Sequence, residues 1–196
     1  WARAVPAAPA AGPLRRLFGR GGGAPPIDVS PVKRGQLPSF GAPFTEAFFL
    51  SADGAGELGS ATRSGLVRDV VADLRRTYFG PDKAVLLGAR EAGGGFAGLV
   101  GAQVQGFDGR AQTRNSRAVE SYRPVIANLV VSRSARGQGL GRRLMEAVEE
   151  QIRDELGYGE ALLYVEKGNR RARSLYGKMG YRRLWTEDGT AVKVRG

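Results

Sequence analysis

The sequence predicts an α/β domain preceded by a tail. Apolar runs of strand length alternate with amphipathic helical stripes, and glycine and proline breakers fall between them. A strand, glycine loop, helix, strand, helix series fills residues 125–180. At 196 residues, 42% hydrophobic and 25% charged, the chain has room for one domain of this kind plus a tail. We place the tail at residues 1–44 and the domain at 45–196.

The tail is rich in Ala, Gly, Pro and Arg, with Gly21-Gly22-Gly23 and Pro25-Pro26 as breakers. So little apolar periodicity predicts disorder. Residues 1–45 carry six basic groups and one acid, Asp28, a bias that suits an organellar transit peptide. The scarcity of Ser and the start at Trp1 suit a plain tail or a processed product instead.

Residues 45–50 are short and Phe-rich and read as a strand. Residues 60–79 place Leu66, Val67, Val70, Val71 and Leu74 at helical spacing, and Gly80-Pro81 stops them. Residues 84–89 and 96–105 are apolar strands around Gly93-Gly94-Gly95, a hairpin signal. Residues 109–122 read as a polar, Arg-bearing loop with Arg110, Arg114 and Arg117. Pro124 opens the strongest strand, residues 125–131. After the sequence Arg136-Gly137-Gln138-Gly139-Leu140-Gly141 comes a helix whose stripe is Leu140, Leu144, Val148 and Ile152, closed by Gly157. Residues 161–165 form another buried strand. Asn169 caps a helix with Ala172, Leu175, Tyr176 and Met179 on one face, and Gly180 ends it. Residues 181–185 and 191–194 pair as a hairpin across Glu187-Asp188-Gly189.

Composition narrows the chemistry. The chain has no Cys and no His, so disulfides, thiolate nucleophiles, catalytic triads and His-ligated zinc are all excluded. No metal is expected. Catalysis is left to Tyr, carboxylates, Lys, water or backbone amides. The net charge of +11 suits a phosphate-bearing ligand. No basic stripe with interleaved aromatics points to nucleic acid, and no apolar run of about 18 residues points to a membrane span.

The glycine loop carries the first functional signal. A helix start leaves amide N–H groups unpaired, the macrodipole makes them attractive to anions, and glycines let a pyrophosphate approach. Arg136, Arg142 and Arg143 add charge. A purely structural strand-to-helix turn fits the same residues. A dinucleotide loop fits Gly137, Gly139 and Gly141, with Glu166 as the acid on the next strand. Against it, only one strand–helix–strand unit follows before the C-terminal hairpin.

Over residues 125–185 the sequence resembles the GNAT superfamily of acetyl-coenzyme A-dependent N-acetyltransferases. Arg136, Gly139 and Gly141 match its pyrophosphate motif. Asn169, Ala172, Leu175, Tyr176, Gly180 and Tyr181 match its second cofactor segment. The resemblance implies a GNAT fold, with a mixed, mainly antiparallel sheet splayed at its centre and flanked by helices. It implies that the backbone of Leu129, Val130 and Val131 pairs with the pantetheine arm. Gly137, Gln138, Gly139, Leu140, Gly141 and Arg142 would cradle the pyrophosphate. Asn169 would contact pantetheine, with Arg170 and Arg171 nearby. Tyr176 would be the general acid for the departing thiolate, although its place on an apolar stripe also suits a core residue. The base is missing. Relatives carry a Glu early on the central strand or on the next one, where this chain has Val125-Ile126-Ala127 and Tyr164. Glu166, Glu120, Tyr122, a water chain or an already neutral amine remain.

The resemblance further implies acetyl-coenzyme A as acetyl-donor substrate and an amine acceptor. Family resemblance to organellar (plastid) protein acetyltransferases favours protein N-termini and lysines; the tail suits a chloroplast stroma address, and a monomer or weak dimer is expected. A mitochondrial or cytoplasmic address, a small-molecule amine acceptor, and a non-catalytic acyl-coenzyme A sensor are the alternatives.

Overall fold

The computed structural model describes residues 2–4, 27–50, 60–107, 121–187 and 190–193. In chain order these form β1 (Ala2–Ala4), β2 (Asp28–Pro31), α1 (Leu37–Thr45), α2 (Ser60–Tyr78), β3 (Ala84–Arg90) and β4 (Phe96–Phe107). There follow β5 (Ser121–Val131), α3 (Leu140–Gln151), β6 (Glu160–Glu166), α4 (Arg170–Lys178), β7 (Trp185–Glu187) and β8 (Thr190–Lys193). The strands make one eight-stranded sheet in the order β2-β3-β4-β5-β6-β8-β7, with β1 also on β6. Only β5 and β6 run parallel. This is the α/β fold that the sequence predicts, with the mixed, mainly antiparallel sheet that the resemblance implies.

Both faces of the sheet are covered, so its central strands are apolar throughout rather than alternating. Successive side chains point to opposite faces. Leu86, Leu99 and Val130 pack with Phe40, Val70 and Leu74 of α1 and α2. Their neighbours Leu87 and Val100 pack with Leu144, Val148 and Tyr176 of α3 and α4. The result is three layers with a separate apolar core on each side of the sheet.

Two expectations need correction. Residues 45–50 are helical, the end of α1 and a wider turn over Glu46–Leu50. Leu37, Phe40 and Phe44 recur at helical spacing and are buried. Pro38 supplies a favourable first-turn φ, and Gly41 lies against Val71 of α2. The apparent strand signal, Phe48 and Phe49, is an aromatic cluster stacked on Phe44. The domain also begins earlier than residue 45. β2 pairs with the edge of β3, with Pro31 at the strand end where no ladder donor is needed, and Val32 is buried. Of the expected tail, residues 27–44 therefore belong to the fold, and Ala2–Ala4 pair with β6. The expected loop at 109–122 gives Ser121 and Tyr122 to β5, and its remaining part lies outside the described residues. In the C-terminal hairpin the strands are Trp185–Glu187 and Thr190–Lys193, while Tyr181 is buried and donates its hydroxyl to Glu149 at 2.8 Å.

Other signals hold. Gly157 and Gly180 adopt left-handed φ values of 79° and 87° at helix ends. The Asn169 side chain accepts the Ala172 N–H at 3.0 Å and caps α4.

Candidate active site

The central strands part at one place. β5 and β6 are in register only at Val125–Leu162 and Ile126–Leu163. Beyond these pairs β5 continues to Val131 and β6 to Glu166, and β6 turns its other edge to β8. The cause lies in β5. Asn128 takes φ of 59°, a left-handed value that Asn tolerates, and the ladder to β4 slips between Leu99 and Gly101. This bulge lies just past the last β5–β6 pair, where the two strands part.

Backbone direction follows from the ladder. Ser132 donates its N–H to the Ala97 carbonyl at 2.8 Å. Because pairing alternates, Val130 turns its backbone groups toward β4, and Val131 turns its own away from β4 into the opening. Val130 has its side chain in the core under α2, Val131 is half-buried, and so is Leu129. The Arg136 Nε donates to the Val131 carbonyl at 3.1 Å and ties the loop to the strand end.

The loop from Arg136 delivers the start of α3 to this strand end. Gly137 and Gly139 have φ of 80° and 76°, and nothing lies within 4 Å of the Cβ position of either. Both conditions favour glycine, and they leave the backbone open to an approaching group. The N–H groups of Arg142 and Arg143 go back to the Gly139 carbonyl. Those of Gly139, Leu140 and Gly141 precede the first helical acceptor, as at any helix start. Leu140 is 1% exposed, so only its backbone can serve a ligand. Gly141 has a packing role, since its Cβ position is 3.4 Å from Leu175 of α4. Gln138 bonds the Ser134 carbonyl at 2.9 Å, and Arg142 faces Glu146 at 3.6 Å. A diphosphate fits this cradle.

At the start of α4, Asn169, Arg170 and Arg171 are all exposed. Tyr176 is buried, with its ring centroid 5.8 Å from that of Tyr181. Burial pushes its phenol up to about 12, so it stays protonated across the neutral range. Among the base candidates, Tyr122 is exposed near the far end of β5, nine residues or about 30 Å along the strand from Val131, and drops out. Glu166 is exposed at the end of β6 on the side of the opening. Glu120 lies outside the described residues.

A cavity of about 250 Å³ lies against the bulge, lined by Phe44, Phe49, Asp69, Val70, Asp73, Leu74 and Asn128. Asn128 donates its Nδ2 to the Tyr78 hydroxyl at 2.8 Å. Burial raises the Tyr78 phenol well above its ordinary value, against the pull of this hydrogen bond. Gly101 makes the space, because a Cβ there would fall 2.4 Å from the Tyr78 ring. Sequence reading missed this cavity. Its available signals were a polar Asn inside the apolar run of residues 125–131, and two Asp residues spaced i, i+4 on α2.

The sequence profile described as "Acetyltransferase (GNAT) family" matches residues 62–181, more than half of the chain. The chain belongs to the GNAT acetyltransferase family. Acetyl-coenzyme A is the donor this membership brings with it. Among solved structures, PaiA N-acetyltransferase from Thermoplasma acidophilum, in complex with coenzyme A, is 17% identical with a TM-score of 0.59, over 85% of this chain and 96% of that one. The GNAT domain of S. lividans PAT is 19% identical with a TM-score of 0.60, over 85% and 88%. The Corynebacterium glutamicum structure described as histone acetyltransferase HPA2 and related acetyltransferase is 19% identical with a TM-score of 0.58, over 88% and 97%. At these identities the likeness is one of fold. No curated protein matches the chain. Among the described residues no cluster of three metal-ligating side chains forms, and no helix is long and apolar enough to cross a membrane.

Proposed function

We propose that this acetyltransferase moves the acetyl group from acetyl-coenzyme A to a primary amine by direct attack. One observation carries the reading: the backbone of Val131 faces the opening between β5 and β6 directly beside the Gly137–Gly141 cradle. The cradle holds the diphosphate through the amides of Gly139, Leu140 and Gly141, with Arg136 and Arg142 adding charge. Leu129 and Val131 pair with the pantetheine arm along the opening, and the Val131 amide polarises the thioester carbonyl. Asn169, Arg170 and Arg171 flank the arm from the start of α4. In the reaction a C–N bond forms and the C–S bond breaks. Tyr176 donates a hydrogen bond to the departing sulfur, and the proton gained by sulfur is balanced by one lost from the attacking amine.

For the acceptor, protein N-termini and lysines are the first reading. The strands of the C-terminal hairpin are only three and four residues long, which suits a groove wide enough for a polypeptide. A small amine is the second reading, favoured by the cavity of about 250 Å³. An α-amino group, with an ordinary pKa of about 7.7–8.0, is substantially neutral at mildly alkaline pH and needs little from a base. The Arg-bearing, acid-poor composition before residue 27 supports a chloroplast address; a reporter fused to the complete natural N-terminus tests it. Incubation with acetyl-coenzyme A and a peptide library, read by mass spectrometry, tests the activity. Acetylated amines and released thiol are expected, and donor binding without transfer to any peptide or small amine would leave a sensor instead.

A further inference from the structure

We propose that the cavity against the β5 bulge receives the acceptor and selects a primary amine that carries a second positive charge. The inference rests on the acetyl-transfer reading above and assigns its substrate class.

Local charge is the first argument. The protein carries a net charge of +11, yet none of the cavity's lining residues is basic and its two charged ones are Asp69 and Asp73. Both project from α2 one turn apart, so their carboxylates share a face. Asp73 is held by Arg76 at 2.5 Å, whereas Asp69 has no ion-pair partner among the described residues. An acidic lining on a strongly basic protein attracts cations to it.

Shape is the second. Phe44, Phe49, Val70 and Leu74 give the cavity apolar walls that suit the methylene stem of an amine. Asn128, held by Tyr78, carries the bulge of β5 into the cavity lining. It precedes Val131 by three strand residues, about 10 Å. An acceptor with its distal cation at the Asp pair therefore extends its second nitrogen toward the thioester carbonyl. The reacting nitrogen must be neutral to attack, so the charge that the aspartates read is the other one. A small diamine and a peptide whose N-terminus lies beside a basic side chain share this chemistry.

The test is calorimetric titration of the full chain, alone and saturated with coenzyme A. Diaminohexane is compared with aminohexane, and the tripeptide Ala-Lys-Ala with Ala-Gln-Ala. An exposed ion pair contributes up to about fivefold, and Asp73 is already held by Arg76, so the doubly charged member of at least one pair should bind about threefold to fivefold more tightly. In the double variant Asp69→Asn/Asp73→Asn that preference should shrink to below about twofold, with the melting temperature and coenzyme A affinity kept, since both side chains are exposed on α2 and away from the cradle. The pair that shows the preference identifies the source as small molecule or protein. Equal binding within both pairs, or a preference that survives the double variant, overturns the inference. Failure of coenzyme A to bind would instead overturn the donor site, while the titrations without it still read the cavity.

Discussion

Tyr176 is a core residue by packing, and that same burial lifts its phenol to about 12. A buried phenol at this value keeps its proton wherever an amine is neutral enough to attack. Tyr176→Phe removes one hydroxyl and leaves the ring contact with Tyr181. We expect turnover to fall by about 10²–10⁴-fold, with the melting temperature and donor affinity nearly unchanged. The pH dependence has a definite sign. A group that must be protonated limits the rate only as pH rises through its folded value, so the wild-type rate should show no falling limb from Tyr176 below about pH 11, one unit short of that value. Unchanged turnover in Tyr176→Phe would leave the residue with packing alone.

Two elements set the geometry, the loop ahead of α3 and the helix α1. At φ of 76°, any side chain at Gly139 is strained by about 1–2 kcal/mol. Gly139→Ala and Gly139→Glu share that strain, but only the glutamate adds a charge that repels diphosphate. Calorimetry should therefore show weaker donor binding in both, and at least about tenfold weaker in the glutamate variant, the factor that 1.4 kcal/mol represents. Parent-like affinity in Gly139→Glu would move the cradle elsewhere. Truncation reads α1. A chain beginning at residue 27 should melt cooperatively, whereas one beginning at residue 42 loses Val32, Leu37 and Phe40 from the core and should not fold. Circular dichroism melts of the two separate these outcomes. The loop was legible in the sequence because its glycines follow a strongly apolar strand and precede a clear helical stripe. Helix α1 was not. Its periodic residues Leu37, Phe40 and Phe44 are interrupted by Pro38, Gly41 and Pro43, residues that usually mark loops. Only packing explains them: Gly41 yields to Val71 and Gly88 yields to the Phe40 ring. The cavity against the bulge stayed hidden for a related reason. Phe44, Asp69 and Asn128 are distant in sequence and meet only once α1 and α2 lie on the sheet.

Across the whole molecule, the sheet is a strong construction with one thin seam. The β4–β5 ladder runs from Gly98–Val131 to Phe107–Ser121, while β5 meets β6 at two register pairs. Strands β2 to β5, with α1, α2 and α3, form one wing, and β6 to β8, with β1 on β6, form the other. A donor lying in the opening would complete the ladder that the chain leaves unfinished, much as an added strand extends a sheet edge. The seam is therefore where the energy of donor binding becomes rigidity. Amide hydrogen exchange should be fast at Val131 in the free protein, whose N–H faces the opening, and slow once coenzyme A is bound, while the Val130 amide, already committed to β4, should change little. The enzyme's stiffness then becomes a property of its donor: a cell rich in acetyl-coenzyme A would hold a closed protein, and a starved one would hold a protein whose two wings work loose.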